Sequence, residues 1–482
     1  MTTGEFAGLI RQQLPYEPNE QQGKVIGALA RFCSQQTPSD SVFLLNGYAG
    51  TGKTSLTGAL VRALREVKVQ VVLLAPTGRA AKVFSRAASH PAFTIHRKIY
   101  RGDSSAIAGA SAMLQDNRLT NAVFIVDEAS MIGNSATDTA GNPVTGLLDD
   151  LLQYVFTGTN CKLIMIGDTA QLPPVGSDVS PAMDPAVIKE RGLRVSRAVM
   201  TDTVRQSHGS GILRNATWLR RAMLMNPLPQ PRLMASPFSD VDVIDNDGVL
   251  EVVYKAYHGS DEPDNDMVSG PDNTIIITRS NRRATAFNLS IRQEILDCGE
   301  MLMKGERLLV AKNNYMWSRK TEGLDFIANG DIGIVERIIG TEDRYGFRFA
   351  DVELSLPDRD ITLTCKIILD TLTSESASLE TESLRSLAEK RMADLEAFDP
   401  ASSWESRIRK LKDDEYFNAL QVKYAYAVTC HKAQGAQWAN VIIDMGGIAP
   451  DAVGMEFYRW LYTATSRATR RLYYLNPAFG VE

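Results

Sequence analysis

The segment Gly47-Tyr48-Ala49-Gly50-Thr51-Gly52-Lys53-Thr54 constrains this chain more than any other. It follows a short apolar run, Val42 to Leu45, and opens a helix-compatible stretch, so it reads as a strand, a tight glycine turn and a helix start. Backbone N–H groups bared by glycines at a helix N-terminus form a cradle for phosphate oxygens. In such a cradle Lys53 reaches the β and γ phosphates of a nucleotide, and the Thr54 hydroxyl takes a Mg²⁺ position.

Similar β-branched runs recur at Val69 to Ala75, Ala122 to Val126 and Lys162 to Ile166, with helix-like stretches between them. This alternation predicts an α/β fold with a parallel sheet covered on both faces. A second series begins at Thr274 to Thr278 and resumes at Val441 to Met445, which predicts a second α/β domain carrying an insertion. The insertion starts at the turn signal Asn329-Gly330-Asp331 and continues through Gly333 to Ile339, Phe347 to Leu356 and Ile361 to Leu369. Within the last, Ile361, Leu363, Cys365, Ile367 and Leu369 alternate with the period of a half-buried strand, so a small antiparallel barrel is expected. Ser374 to Asn418 then turns charged. Leu384, Leu387, Arg391 and Leu395 at helical spacing, and Pro400 before a second stretch through Ile408 and Leu411, predict a helical hairpin on the barrel. The expected divisions are 1–200 for a first domain, 201–330 and 420–482 for two parts of a second, and 331–419 for the barrel and hairpin. A chain of 482 residues has length for several such domains.

Asp127-Glu128 ends the third apolar run, where open α/β sheets place ligand-binding carboxylates. In that position Asp127 holds Mg²⁺ through water and Glu128 polarises the attacking water as general base. An isolated Asp-Glu pair after a strand is ordinarily a solvated turn. Its place after a phosphate loop, with one crossover strand between, favours the catalytic reading.

The net charge of -5 lacks the basic footprint of many nucleic-acid-binding proteins. It does not exclude a strand held in a narrow groove by hydroxyls, backbone amides and a few cations. Hydrophobic content of 44% and charged content of 23% are those of a globular chain, and no apolar run approaches the roughly 18 residues of a membrane span. Met1 to Leu14 reads as a short amphipathic helix without a signal-type apolar stretch, so a cytoplasmic location is expected. Cys33, Cys161, Cys298, Cys365 and Cys430 are scattered without C-x-x-C spacing, which suggests neither zinc nor a disulfide framework.

Seven further segments run in order from Pro18 to Ala468. They are Pro18-Asn19-Glu20-Gln21-Gln22, Leu74 to Lys82, Thr94-Ile95-His96, Ile166 to Gly176, Thr203-Val204-Arg205-Gln206, Val428 to Gly435 and Leu461 to Ala468. With them the chain resembles the 5′→3′ branch of the superfamily 1 DNA helicases, the group of RecD and Dda. The resemblance implies two RecA-like P-loop domains closing over one ATP, with an SH3-like barrel and a tower-like hairpin inserted in the second. It implies that Gln22 reads adenine, that Gln171 senses the γ phosphate, and that Arg205 and Arg467 are catalytic arginines beside Lys53, Asp127 and Glu128. It assigns strand contacts to Pro76, Thr77, Arg79, His96 and Pro173 on the first domain and to Thr429, His431 and Lys432 on the second.

The implied activity is ATP-dependent unwinding and 5′→3′ movement on single-stranded DNA and at junctions, by a monomer, in replication, recombination or repair. One departure falls at Arg97 to Leu119, where the family places its strand-splitting hairpin. Here that stretch is rich in Ser, Ala and Gly, with Tyr100 its only aromatic. An RNA-directed relative remains open, since motor motifs grip phosphates and sugars alike. A P-loop phosphotransferase for a small acceptor would need neither the Gln171 nor the Arg467 segment, and a module that only binds ATP would not need Glu128. No nuclease-type carboxylate cluster is evident.

Overall fold

The computed structural model describes residues 1–34, 36–101, 113–134, 136–137, 143–144, 146–202, 209–259, 267–322, 324, 326–357, 360–448, 453–477 and 479–481. The first lobe contains β1 (Ser41–Gly47), β2 (Val71–Ala75), β3 (Ala92–Thr94), β4 (Val123–Val126), β5 (Lys162–Gly167) and β6 (Arg194–Met200). They form one sheet in the order β6-β1-β5-β4-β2-β3, parallel throughout. Strands β2, β4 and β5 are buried along their whole length, as two-sided burial in a parallel sheet requires, and their near-continuous apolar runs announce them. Edge strand β6 is exposed or half-buried up to the buried Met200 and carries two arginines, so no apolar run marks it. Parallel register brings the C-terminal ends of β1, β5 and β4 side by side. The phosphate loop, Asp168 and Asp127 leave from those three ends.

The second lobe starts with β7 (Val241–Ile244) and β8 (Thr274–Thr278). The chain then enters a closed barrel of β9 (Arg307–Val310), β10 (Ile332–Arg344), β11 (Phe347–Leu356), β12 (Ile361–Ile368) and β13 (Leu420–Tyr424). It returns as β14 (Ala427–Thr429), β15 (Trp438–Asp444) and β16 (Ala468–Leu475), giving a parallel sheet in the order β7-β16-β15-β8-β14.

The expected barrel is present but not wholly antiparallel. Strands β12 and β13 pair in parallel, Ile367 opposite Leu420, because the hairpin helices intervene and bring the chain back from the other end. The barrel also draws β9 and β13 from the flanks of the alternating stretch. The hairpin is formed by Thr381–Phe398 and Trp404–Lys412, joined through Met392, Leu395 and Leu411, while Leu387 packs on the barrel at Phe349. Among the described residues no helix is long and apolar enough to cross a membrane.

Candidate active site

The phosphate loop is shaped by glycine where nothing else fits. Gly50 and Gly52 have φ of 77° and 85°, a region that side chains disfavour. A Cβ on Gly47 would lie 2.6 Å from Lys53 Cγ, so glycine there lets the lysine fold across the loop. Lys53 Nζ donates to the carbonyls of Gly47 and, at 3.1 Å, Tyr48. The helix Lys53–Glu66 has Gly52 as its N-cap and no side-chain cap, so no loop side chain competes for its first N–H groups. Thr51 is buried, its hydroxyl donating to Tyr48 O at 2.8 Å, and Thr54 is exposed at the mouth.

Gln22 lies beneath this loop. Its Nε2 donates to Thr51 O at 3.1 Å, and its Oε1 accepts from Asn19 N at 3.1 Å as part of a capping box. The neighbouring Gln21 performs a task that sequence reasoning did not foresee. It accepts from the N–H groups of Thr201 (2.7 Å) and Asp202 (3.0 Å) and donates to the Thr201 hydroxyl (2.9 Å), fastening the chain where it leaves the first lobe.

Asp127 and Glu128 stand side by side at the end of β4, with Glu128 N donating to Asp127 Oδ1 at 2.9 Å. Burial above all, then the charge of Glu128, raises the Asp127 carboxyl well above the ordinary range, and the Lys53 ammonium opposes this. Two carboxylates against one ammonium suit a divalent cation. Among the described residues no group of three or more His, Cys, Asp or Glu is arranged to hold a metal. A cation here would therefore complete its shell with phosphate oxygens and water, the habit of Mg²⁺.

The second lobe reaches this site through the helix Met455–Thr465. The Tyr462 hydroxyl accepts from Ala49 N in the phosphate loop at 2.9 Å and donates to Asp168 Oδ2 at 2.7 Å. Thr463 Oγ1 accepts from Leu172 N at 2.8 Å, and Gln434 Nε2 donates to Leu172 O at 2.9 Å. The Arg220 guanidinium lies 4.3 Å over the Tyr48 ring while donating to Thr201 O at 3.1 Å. Gln171 is buried in the same seam, and its Oε1 has no hydrogen-bond partner among the described residues. Arg467 is buried too, but its guanidinium donates within its own lobe, to Thr463 O (3.0 Å), Ala436 O (3.2 Å) and Ser466 Oγ (2.8 Å). Arg205 lies outside the described residues.

Two family models match this chain, one over most of the first lobe and one over the end of the second. The AAA domain family matches residues 19–224, and the UvrD-like helicase C-terminal domain family matches residues 424–475. The ATP-dependent RecD2 DNA helicase of Deinococcus radiodurans is 31% identical over 160 residues, 33% of this chain and 18% of that protein. The chain resembles superfamily 1 helicases of the RecD type. An uncharacterized protein of Methanocaldococcus jannaschii is 31% identical over 147 residues, 28% of this chain and 12% of the relative. The chain thus spans less than a fifth of the length of these two relatives. A crystal structure of Pif1 helicase from Bacteroides in complex with ADP-AlF3 and ssDNA aligns over 96% of this chain and 93% of that one, at 16% identity and a TM-score of 0.47.

Two of the segments expected to contact a strand, at Arg79-Ala80 and at Gly435 to Trp438, meet across the lobes. Thr77 caps the helix Gly78–Ala88 by accepting from Ala80 N at 3.2 Å, beside a half-buried Pro76. The Arg79 guanidinium sits 4.5 Å over the ring of Trp438 in the second lobe. Next to it, a Cβ on Gly435 would lie 3.3 Å from Ala80 Cβ. Thr429 is the N-cap of the short helix Cys430–Ala433, which presents an exposed His431. Lys432 Nζ donates to Asn329 Oδ1, and burial lowers its ammonium to about 8. His96 is half-buried against Tyr100, ring centroids 5.8 Å apart, and burial lowers its pKa. Pro173 is half-buried in the segment that the second lobe pins at Leu172.

Of the expected strand-splitting hairpin, Tyr100–Arg101 pairs with Met113–Leu114, and residues 102–112 lie outside the described residues. Tyr100 is anchored, its hydroxyl donating to Asp150 at 2.5 Å.

Proposed function

We propose that this chain is an ATP-driven DNA helicase that moves 5′→3′ on single-stranded DNA and opens duplex at junctions, acting as a monomer. The observation that carries the reading is the seam itself: the second lobe touches both the phosphate loop, at Ala49, and the Asp168–Leu172 segment. A small-molecule phosphotransferase has no need of such a seam. In this reading residues 1–200 form the first motor domain, 201–330 and 420–482 the second, and 331–419 the accessory barrel and hairpin.

Lys53 and the loop N–H groups hold the ATP phosphates, and Glu128 takes the proton of the attacking water. Thr54 and, through water, Asp127 would hold Mg²⁺, which supplies charge neutralisation between the phosphates when bound. Gln171 senses the γ phosphate, while Arg205 and Arg467 neutralise charge on the transferred group once Arg467 has turned from its own lobe toward the cleft. Gln22 supports the loop floor, and reading adenine would require its carboxamide to leave Thr51 O and Asn19 N. Strand grips lie on both sides of the seam, at Pro76, Thr77, Arg79, His96 and Pro173 and at Thr429, His431 and Lys432. Closing and reopening the cleft then shifts one set of grips relative to the other.

ATP hydrolysis by the purified protein, measured without nucleic acid, with single-stranded DNA and with RNA of matched sequence, tests the proposal. Strong stimulation by DNA that is lost in Lys53→Ala is the expected result. Hydrolysis indifferent to nucleic acid rules the proposal out, and stimulation by RNA alone transfers it to the RNA-directed branch.

Lys432 adds a pH signature. Burial depresses its pKa, so its charge is present well below pH 8 and lost as pH rises through about 8. Each phosphate contact on a single strand contributes about -0.7 to the slope of log affinity against log salt. The slope is therefore expected to become shallower between pH 7 and pH 9 in the wild type and to stay constant in Lys432→Arg. Equal pH dependence in both proteins would remove Lys432 from the grip.

A further inference from the structure

The Asp168 carboxylate is fully buried, so each of its oxygens must find a donor inside the protein. Oδ1 accepts from Ala170 N at 3.0 Å. Two donors compete for Oδ2: the Tyr462 hydroxyl at 2.7 Å and Gln171 Nε2 at 3.5 Å, the latter at the outer limit of a hydrogen bond. The hydroxyl has the advantage, because O–H donors to carboxylates make short, strong bonds. Its direction is also fixed. Tyr462 accepts from Ala49 N, which leaves its single proton for Asp168.

The two competitors belong to different lobes. Tyr462 stands on the helix Met455–Thr465 of the second lobe, and Gln171 follows β5 of the first. The next residue on that helix, Thr463, bonds Leu172, so the helix is held in register against the whole Asp168–Leu172 segment.

We propose that Tyr462 is a positioning residue that frees the carboxamide of Gln171 for the nucleotide only when the second lobe is seated on the first. With the lobes together, Tyr462 satisfies Asp168. Gln171 is then bound only weakly through its Nε2, with its Oε1 unpartnered among the described residues. With the lobes apart, Oδ2 loses the Tyr462 hydroxyl, and Gln171 Nε2 is the protein donor left within reach of it. The glutamine is thereby withheld until the cleft closes, and hydrolysis waits for closure. This inference rests on the ATP-driven reading above and adds to it a means of making turnover conditional.

The test is steady-state ATP hydrolysis by the full chain at saturating oligo-dT, comparing wild type, Tyr462→Phe, Gln171→Ala and the double variant, with thermal melts alongside. Phenylalanine keeps the packed ring and removes only the hydroxyl. Tyr462→Phe is expected to lower kcat by about tenfold or more while KM for ATP moves by less than about twofold. In the Gln171→Ala background the same change is expected to add nothing, because the residue through which Tyr462 acts is already gone. Wild-type kcat in Tyr462→Phe overturns the proposal, as do losses that multiply in the double variant or a kcat loss accompanied by a collapsed melting temperature. A wild-type protein without DNA-stimulated hydrolysis overturns the helicase reading as well, so the unmutated control tells the two failures apart.

Discussion

Glu128→Gln is expected to lower DNA-stimulated ATP turnover by about 10² to 10⁴-fold, the usual contribution of a general base, while nucleotide binding survives. The substitution keeps the size and hydrogen-bonding reach of the side chain and removes only its ability to take a proton. The backbone already marks this residue. Glu128 sits at φ 52°, a left-handed conformation that costs a residue with a Cβ roughly 1–2 kcal/mol, and the fold retains it at the end of β4. Glu128→Gly supplies the complementary arm. It is expected to leave the fold as stable or more stable, because the strain is relieved, yet to lose turnover as fully as the Gln variant. Single-turnover hydrolysis together with binding of a fluorescent nucleotide checks both. Near-normal turnover in Glu128→Gln would dismiss Glu128 as the base.

The largest expected loss of stability lies far from the nucleotide. Arg292 and Glu306 are both buried and paired in a two-pronged contact, with the second prong at 3.1 Å. Arg292 also donates to the carbonyls of Gly299 (3.0 Å) and Met301 (2.9 Å), and its guanidinium lies 4.2 Å over the ring of Tyr424 in β13. It projects from a widened helical turn, Ile291–Ile295, with the i→i+5 pattern often found where a helix must accommodate an inserted role. The pair thereby joins a helix of the second lobe to the barrel.

Arg292→Met leaves Glu306 charged, buried and unpaired, and is expected to destabilise the second lobe by about 3–5 kcal/mol. Changing both residues, Arg292→Met with Glu306→Leu, is expected to recover much of that loss, since an apolar pair has no ion to desolvate. Denaturant unfolding followed by probes in each lobe measures this, because a chain with several domains need not unfold in one step. A shift below about 1 kcal/mol for the single variant would show that the pair contributes little.

The nucleotide side of the site was legible because its chemistry is local. The loop Gly47 to Thr54 and the pair Asp127-Glu128 declare themselves by spacing within a few residues of a strand end. The buried strands β2, β4 and β5 were legible for a related reason, since two-sided burial forces continuous apolar runs. What escaped depends on partners distant in sequence. Gln21 meets Thr201 across 180 residues, and nothing near Gln21 signals it. Strand β6, exposed at an edge, tolerates Arg194 and Arg197 and so lacks the pattern. Barrel strands β9 and β13 are too short for alternation to distinguish them from loop. Tyr462 lay inside a segment read for Arg467. Its role follows from two contacts with the other lobe that no spacing rule encodes.

The order of strands in the second sheet has a consequence for how this chain is made. Strand β8 is apolar and fully buried, and both of its neighbours, β14 and β15, come after the barrel and hairpin in the sequence. Strand β7 likewise pairs with β16, the last of all. Every ladder of that sheet therefore waits for residues beyond Leu420, whereas the first sheet has all its strands by Met200. On the ribosome the first lobe can close early, while Thr274–Thr278 travels unpaired through the synthesis of the barrel and hairpin. Until its partners beyond Leu420 are made, that five-residue β-branched segment has no strand to pair with and is a site of aggregation risk in the nascent protein.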